Sequence, residues 1–163
     1  MDVELVAARL SDKHVIRNLL ELYEHDMSEY ADVDVDEHGL FQYRWLDHYF
    51  TEADRSPFLI RVDGKWAGFV FVNQHIVAPP GDHAIAEFFV LRKYRRRGVG
   101  VKAAHATLDE FPGRWEIRVM LENVPAQKFW RRVLLDYGVP KPECIEHHPD
   151  WAGPIFRCKS RLS

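Results

Sequence analysis

The order of secondary-structure elements predicts an α/β protein of the α+β type, with a mixed sheet and helices on its faces. Periodicity and turn signals give the order β-α-α-β-β-β-α-β-α-β-β, in which hairpins precede a strand–helix–strand–helix unit. The chain has 163 residues, of which 47% are hydrophobic and 29% are charged. This length and composition are typical of one soluble domain with a sizeable core, and we expect residues 1–163 to form a single domain.

The N-terminal part of the chain predicts one strand, two helices and a hairpin. Asp2 to Leu10 mixes apolar and charged residues as a strand does, and Ser11 is suited to cap the helix that follows. Apolar residues then recur at helical spacing, at Val15, Ile16, Leu19, Leu20, Leu22 and Tyr23. The aromatic segment Phe41 to Phe50 predicts a second helix. In the hairpin Phe58 to Val72, Asp63-Gly64 supplies the two-residue turn.

The C-terminal part predicts two further helices, each preceded by a strand. Ala84 to Leu91 predicts a strand, and Val99 to Phe111 predicts a helix closed by Pro112-Gly113. The next strand alternates apolar residues at Trp115, Ile117, Val119 and Leu121. Asn123 is the expected cap of the last helix. Its apolar face is Ala126, Phe129, Trp130, Val133, Leu134 and Tyr137. Gly138 is the expected C-terminal cap. Two late strands are expected, near Glu143 to His148 and Pro154 to Arg161.

Charge and composition exclude several classes of function. The net charge is −3 and the isoelectric point about 6.3, which argues against broad binding to nucleic acid or to a membrane surface. The apolar runs are too short for a membrane helix, and the N-terminus does not resemble a signal peptide. Cys144 and Cys158 lie in different segments without metal-ligand spacing, and the adjacent His147-His148 has no partner cluster. We therefore expect a cytoplasmic protein without a metal.

A basic turn rich in glycine is the most informative segment. Within Arg92 to Ala106, the first six residues include five basic ones, and Gly98 and Gly100 follow. A strand that leads through such a turn into a helix forms an anion site, because the first amides of a helix lack intrahelical acceptors. Arg95, Arg96 and Arg97 add positive charge. The turn therefore predicts a pyrophosphate site, or alternatively a solvated basic turn in which the glycines serve only the bend.

Two motifs resemble the GCN5-related N-acetyltransferase (GNAT) superfamily. The segment AEFFVLRKYRRRGVGVKAA is similar to the family's motif A, whose core [RQ]-x-x-G-x-[GA] matches Arg95 to Gly100. Downstream, LENVPAQKFW is similar to the second cofactor segment, with Asn123, Ala126, Phe129 and Trp130 at the matching positions. The resemblance implies a mixed, mostly antiparallel sheet of six to seven strands, with splayed central strands and about four flanking helices.

The resemblance implies acetyl-CoA as the acyl donor and assigns residues to it. The amides that would bind the pyrophosphate are those of Arg95, Arg96, Arg97, Gly98, Val99, Gly100 and Val101. The main chain of Phe89 and Val90 would bond the pantetheine arm where two strands splay, and an amide there would stabilise the oxyanion. Phe129 would pack against the arm. Asn123 would contact it from the other side, or act only as a helix cap.

Transfer to an amine requires a group that accepts the amine's proton, because an alkyl ammonium has a pKa near ~10.4. Glu87 is the candidate base, alone or through a water. Alternation places it on one strand face with the apolar Ile85 and Phe89, where a charge is costly. The alternatives are an ion pair with a neighbouring strand for Glu87, and His83 as the base. One departure from the family concerns Trp130, which stands where many members carry a tyrosine that protonates the leaving thiolate.

The acceptor is not named by the sequence. Residues 18–43 contain no Lys or Arg and are rich in Asp and Glu, which indicates either a solvated surface or a site that attracts a cationic acceptor. Asp32-x-Asp34-x-Asp36 begins like a calcium loop, but Glu37 and Tyr43 stand where such a loop needs Gly and Glu. Tyr23, Tyr30 and one or two rings of the aromatic segment are candidates to line the acceptor cleft.

The sequence therefore predicts an N-acetyltransferase that acts on a primary amine of a small molecule or peptide, by direct transfer in a ternary complex. The alternative is an acyl-CoA-binding sensor without turnover, since the family's acid tyrosine is absent. A basic loop that binds RNA is a third interpretation, but stacking aromatics do not accompany its arginines. The resemblance also allows a homodimer through the late strands.

Overall fold

The computed structural model of the chain describes residues 1–139 and 142–161. Within them, seven strands form one mixed sheet with the order β1-β2-β3-β4-β5-β7-β6. The strands are β1 (Val3–Ala7), β2 (Arg55–Val62), β3 (Lys65–Asn73), β4 (His83–Val90), β5 (Arg114–Arg118), β6 (Glu143–Ile145) and β7 (Ile155–Lys159). The helices are α1 (Lys13–Met27), α2 (Val99–Glu110) and α3 (Val124–Asp136). This confirms the predicted class and strand number, with three α-helices in place of about four.

The sheet lies between two apolar layers. Phe58 and Ile60 of β2 belong to a core shared with α2 and α3, whereas Leu59 belongs to a second core shared with α1. Successive side chains of a strand point to opposite faces, so one strand supplies both layers. Among the described residues, no helix has the length and apolar character that a membrane crossing requires.

Strands β4 and β5 separate in the middle of the sheet. They pair in parallel only from His83 to Ile85 on β4, and β4 then continues alone to Val90. The antiparallel pairing of β3 with β4 contains an irregularity, in which Phe71 opposes Glu87 but Val72 opposes Ile85. Such a bulge bends a strand, and it lies where β4 leaves β5. The splayed central strands that were expected are therefore present.

The bulge also changes which side chains share a face of β4. Strict alternation predicted Ile85, Glu87 and Phe89 on one face. Instead, Ile85 lies in the core beneath α2 and α3, whereas Phe89 lies in the core beneath α1. Ala86 is the extra residue of the bulge, so the alternation of side chains between the two faces of β4 is reversed after it. Glu87 therefore points toward α1, on the same side as Phe89.

Several local predictions are confirmed. Asp63 and Gly64 both have positive φ, at 48° and 78°, as the two-residue turn requires. The Asn123 side chain accepts a hydrogen bond from the Ala126 amide at 3.1 Å and caps α3. Gly138 follows α3 with a φ of 94°.

Two predictions of local structure are wrong. Ser11 lies inside a 3-10 turn, Leu10–Asp12, and α1 begins after Asp12, whose carboxylate accepts the Arg9 amide at 2.9 Å. The expected helix Phe41 to Phe50 is absent apart from a 3-10 turn at Asp47–Phe50.

The aromatic segment is held in an irregular conformation by α1. The Glu21 carboxylate accepts the amides of Phe41 and Gln42 at 2.7 and 3.1 Å, and Gln42 has a φ of 58°. Tyr49 stacks on Phe71 of β3 with ring centroids 3.8 Å apart. Side-chain capping by Glu21 and stacking on the sheet thus replace the hydrogen bonds of a helix.

Candidate active site

The basic turn between β4 and α2 has the backbone geometry of an anion site. Arg96 has a φ of 59° and Gly98 a φ of 78°, so two left-handed residues alternate just before the helix. Such alternation turns successive amides toward one concave surface. The amides of Val99 to Val101 precede the first helical hydrogen bond, in which Lys102 donates to Gly98 at 3.1 Å. An anion placed there meets several amides and the positive end of α2.

The two glycines of the turn have different functions. A Cβ on Gly98 would meet no atom within 4 Å, so this position opens onto free space and needs glycine for its positive φ. A Cβ on Gly100 would lie 3.1 Å from the ring of Phe129. Gly100 therefore lets the ring of Phe129 lie against the first turn of α2.

Arg95 stabilises the turn through hydrogen bonds and an ion pair, so its charge is already paired. Its Nε donates to the Val90 carbonyl at 2.7 Å, its guanidinium pairs with Asp26 of α1, and its amide donates to the Arg92 carbonyl at 3.2 Å. Burial alone would raise the pKa of Asp26, but hydrogen bonds from Arg95 and Arg92 lower it. The Arg95 amide, which was expected to bind the pyrophosphate, donates to a carbonyl of its own turn, while the residue also lines the groove described below. Arg96 and Arg97 are exposed.

The free edge of β4 faces the gap between the splayed strands. The Leu91 amide donates to Ala67 of β3 at 2.8 Å, so by alternation the Phe89 amide also faces β3 and the Val90 amide faces the gap. The Phe89 carbonyl also points at β3, because a Cβ on Gly68 would lie 1.9 Å from it. Both backbone groups of Phe89 are therefore directed at β3, whereas the amide of Phe88, like that of Val90, faces the gap by the same alternation.

A groove of about 540 Å3 follows this edge and reaches the basic turn. Of the expected cofactor residues, those that line it are Phe89, Val90, Arg95, Arg96, Gly98, Gly100, Val101, Asn123 and Phe129. Arg97 does not line it, and the Val99 side chain is fully buried in the core, so only its amide is available.

A second cavity, of about 700 Å3, lies on the other side of the gap. Its walls include β4, the end of β5, α1 and the aromatic segment. It shares five lining residues with the groove, which are Tyr23, Met27, Phe88, Asn123 and Ala126. The two spaces therefore adjoin each other along these residues.

Glu87 lies in the wall of the second cavity. Tyr23 of α1 donates a hydrogen bond to its Oε2, and Tyr43 donates to its Oε1 at 3.1 Å. Burial raises the pKa of Glu87 to about 7, although the bonds from both tyrosines lower it. Glu24 also raises it, and Arg118 lowers it. The carboxyl group is therefore poised to exchange a proton near neutral pH.

A family model described as the acetyltransferase (GNAT) family matches residues 16–134. The chain belongs to this family. Among solved structures, an acetyltransferase from Thermus thermophilus has 15% identity and a TM-score of 0.69, with 98% of this chain and 97% of that chain covered. No curated protein matches.

Two other similar structures contain coenzyme A. The PaiA N-acetyltransferase from Thermoplasma acidophilum has 10% identity and a TM-score of 0.63, with 98% of this chain and 99% of that chain covered. The aminoglycoside acetyltransferase AAC(6')-Ib has 14% identity and a TM-score of 0.65, with 99% and 96% covered. At these identities the likeness concerns the fold alone, and it confirms the GNAT fold expected for the chain.

Two alternatives for the base are contradicted in this GNAT domain. Within residues 1–139 and 142–161, Lys and Arg form no ion pair with Glu87, because Arg118 pairs with Glu116 at 3.1 Å. His83 lies at the other end of β4, between the rings of Phe111 and Trp115 at 5.0 and 5.1 Å. It lines neither cavity.

The position of the family's acid tyrosine is filled by a buried indole. Trp130 is 5% exposed and packs on Phe88 and Phe129, with ring centroids 5.2 and 5.1 Å away. Tyr137 lies at the far end of α3, where it donates to Asp109 at 2.5 Å. Neither side chain offers an acid to the junction of the two cavities.

Three carboxylates of the acidic run have a structural function. Glu21 holds the aromatic segment, Asp26 holds the two arginines, and Asp36 accepts the amides of His38 and Leu40 within its own loop. Glu24 lines the second cavity, and burial raises its pKa. The run therefore contributes one additional carboxyl group beside Glu87.

Sequence reasoning missed several side chains of the second cavity. Rings of the aromatic segment line this cavity, as was expected, and they are Tyr43, Trp45 and Tyr49. The sequence did not predict Arg55, Arg118 and Trp151 there. Glu52, Asp54 and His75, near its rim, place possible metal ligands within 4.8 Å of one another. Asp54 bonds His75 at 2.9 Å and Glu52 bonds Arg55 at 2.6 Å, so these groups already satisfy each other.

Proposed function

We propose that this GNAT domain is an N-acetyltransferase that transfers an acetyl group from acetyl-CoA to a primary amine of a small molecule or peptide. The observation that carries the proposal is the meeting of the groove and the second cavity at five shared residues, with Glu87 in the wall. Two separate substrates can then reach each other without a covalent enzyme intermediate, which is direct transfer in a ternary complex.

The residues of the groove fit coenzyme A. The left-handed pair Arg96 and Gly98 and the amides of Val99 to Val101 suit a pyrophosphate. The free edge of β4 suits an arm with amide groups, and Phe129 supplies an apolar wall. When bound, acetyl-CoA supplies an activated acyl group. The Val90 amide, which faces the gap, is the candidate donor to the oxygen that becomes negative during transfer.

Glu87 is the proposed general base. An amine must lose a proton before it can attack, and a carboxylate with a pKa of about 7 is half ionised at neutral pH. The second cavity is the proposed acceptor site. Glu24 and Glu87 lack ion-pair partners among the described residues, whereas Arg55 and Arg118 are each paired, so the cavity favours a cationic acceptor.

The test measures thiol release from acetyl-CoA against a panel of primary amines, with Glu87→Gln as the variant. We expect kcat/KM of the wild type to rise with pH around a midpoint near 7. Glu87→Gln should lose about 10²- to 10⁴-fold in rate, together with this pH limb, while its Kd for coenzyme A stays unchanged.

Two results would contradict the proposal in different ways. An unaltered pH limb in Glu87→Gln would exclude this carboxyl group as the base. Tight binding of coenzyme A without turnover of any amine would favour the acyl-CoA-binding sensor, which the indole at Trp130 supports.

A further inference from the structure

Tyr23 occupies a position that neither motif accounts for. It lies on α1, and its side chain lines both the groove and the second cavity. Its hydroxyl donates to Glu87. Phe69 and Phe89 hold the ring edge-on, with centroids 5.6 and 5.9 Å away, so the hydroxyl is fixed. Tyr43 also bonds Glu87, but it lines only the second cavity.

The reaction proposed above leaves one proton to be placed. When the new amide forms, the carbon–sulfur bond of the thioester breaks, and the departing sulfur carries a negative charge. In related GNAT proteins a tyrosine on the last helix protonates it, but the corresponding residue here is Trp130. An indole N–H is not a useful acid.

We propose that Tyr23 donates a proton to the departing sulfur of coenzyme A and that Glu87 returns a proton to Tyr23. This inference rests on the N-acetyltransferase function proposed above. An acceptor that enters as an ammonium loses two protons, of which one goes to solvent and Glu87 accepts the other. The Tyr23 hydroxyl gives its proton to the sulfur, and the Glu87 carboxylic acid restores the hydroxyl. The products are a neutral amide and a neutral thiol, and both side chains return to their starting forms.

The overall transfer of a proton from Glu87 through Tyr23 to the sulfur, which we call the relay, is favourable although Tyr23 is a weak acid. Burial and the neighbouring Glu87 raise the pKa of Tyr23 well above its usual range, so Tyr23 alone would protonate a thiolate poorly. The net transfer runs from the Glu87 carboxyl, with a pKa of about 7, to an alkyl thiol, for which the cysteine side chain with its ordinary pKa of about 8.5 is the reference. Moving both protons together avoids a free phenolate.

Other tyrosines do not meet both requirements. Tyr43 bonds Glu87 but lies outside the groove. Tyr30 lines the groove, but within the described part of the chain no hydrogen bond joins it to Glu87. The remaining charged groups that act on Glu87 are Glu24 and Arg118, and neither lines the groove.

The experiment compares Tyr23→Phe with Tyr43→Phe as a matched control. Each change removes one hydroxyl from Glu87 and keeps the ring, so both should raise the pKa of Glu87 and move the acid limb of kcat/KM to higher pH. Above that limb, Tyr23→Phe should remain about 10²-fold slower than the wild type, whereas Tyr43→Phe should recover to within a few fold. Equal recovery of both variants would overturn the relay.

A second measurement does not depend on turnover. The thiol of bound coenzyme A is titrated by the ultraviolet absorbance of its thiolate. A hydroxyl that reaches the sulfur stabilises the thiolate, so Tyr23→Phe should raise the pKa of the bound thiol by about one to two, and Tyr43→Phe should not. An unchanged thiol pKa in Tyr23→Phe would also overturn the proposal. Calorimetric binding of coenzyme A shows that each variant is folded.

Restoring the rate of Tyr23→Phe with a second substitution distinguishes Tyr23 as an acid from Tyr23 as a group that only orients Glu87. The double variant Tyr23→Phe with Trp130→Tyr places a phenol where the family usually has one, and it should regain at least about tenfold of the lost rate. No gain would argue that Tyr23 only orients Glu87. If the wild type turns over no amine, the proposed function fails, while the thiol titration still decides whether Tyr23 reaches the sulfur.

Discussion

Replacing Glu87 with glutamine should make the protein more stable at neutral and alkaline pH. Burial raises the pKa of this carboxyl from an ordinary 4.5 to about 7, so between these values the folded state holds a proton that the unfolded state has released. Stability falls with rising pH wherever the folded state binds more protons. The wild type therefore loses stability as the pH rises from about 4.5 to about 7, and the glutamine variant does not.

The size of the effect follows from the two pKa values. Each tenfold difference in proton affinity corresponds to about 1.36 kcal/mol. The difference between a pKa of 4.5 and one of about 7 then lowers the free energy of unfolding of the wild type by about 3 kcal/mol. This loss is complete above pH 7 and absent below pH 4.5. This is an upper figure, because Glu87 is partly open to the cavity.

Urea unfolding of the wild type and Glu87→Gln, at a series of pH values from about 4.5 to about 8.5, measures the effect. The free energy of unfolding of the variant minus that of the wild type should grow by up to about 3 kcal/mol across the series. Any constant offset from altered hydrogen bonds to Tyr23 and Tyr43 cancels in this change. Glu24→Gln should show growth in the same direction, because burial also raises the pKa of Glu24.

A difference that stays flat with pH, or that grows as the pH falls, would refute the reasoning. A flat result would mean that Glu87 titrates alike in the folded and unfolded states. Growth toward low pH would mean that the folded state favours the charged carboxylate, as an ion pair would.

Three further predictions concern glycines. Gly68→Ala should lower the free energy of unfolding by about 4 kcal/mol or more in urea, because its Cβ would lie 1.9 Å from the Phe89 carbonyl oxygen. A loss under about 1 kcal/mol would show that β3 and β4 separate easily. Gly98→Ala should cost about 1–2 kcal/mol through its positive φ alone. Gly100→Ala should displace Phe129, 3.1 Å from the new Cβ, and raise the Kd for coenzyme A about tenfold in calorimetry. An unchanged Kd would contradict this function of Gly100.

Local signals in the sequence were sufficient for elements that local interactions decide. The turn Asp63-Gly64, the cap Asn123 and the apolar face of α3 depend on residues within one or two turns of each other. The basic turn also belongs to this group, since its left-handed residues and free amides lie within a few positions. These elements carried the resemblance to the family as well.

Contacts between distant segments decided the elements that were predicted wrongly. Phe41 to Phe50 has aromatic residues at helical spacing, but Glu21 and the face of β3 determine its conformation. The bulge at Ala86 arises from pairing with β3, and it reversed the expected facing of Glu87 relative to Ile85. The ion pair of Arg95 with Asp26 could not be predicted from the basic turn, because Asp26 lies on another element.

The surroundings of Glu87 show how the fold keeps a carboxyl group available as a base. Arg118 lines the same cavity, and an ion pair with it would lower the pKa of Glu87 and weaken it as a base. That pairing does not form, because the buried Glu116 holds Arg118 at 3.1 Å. Glu116 is itself fixed by the amides of Val77 and Ala78 at 3.0 and 2.8 Å. Glu87 is thus bonded to two neutral hydroxyls instead of a cation, and this environment lowers the free energy of unfolding at neutral pH. The same environment keeps the pKa of Glu87 where proton transfer near neutral pH requires it.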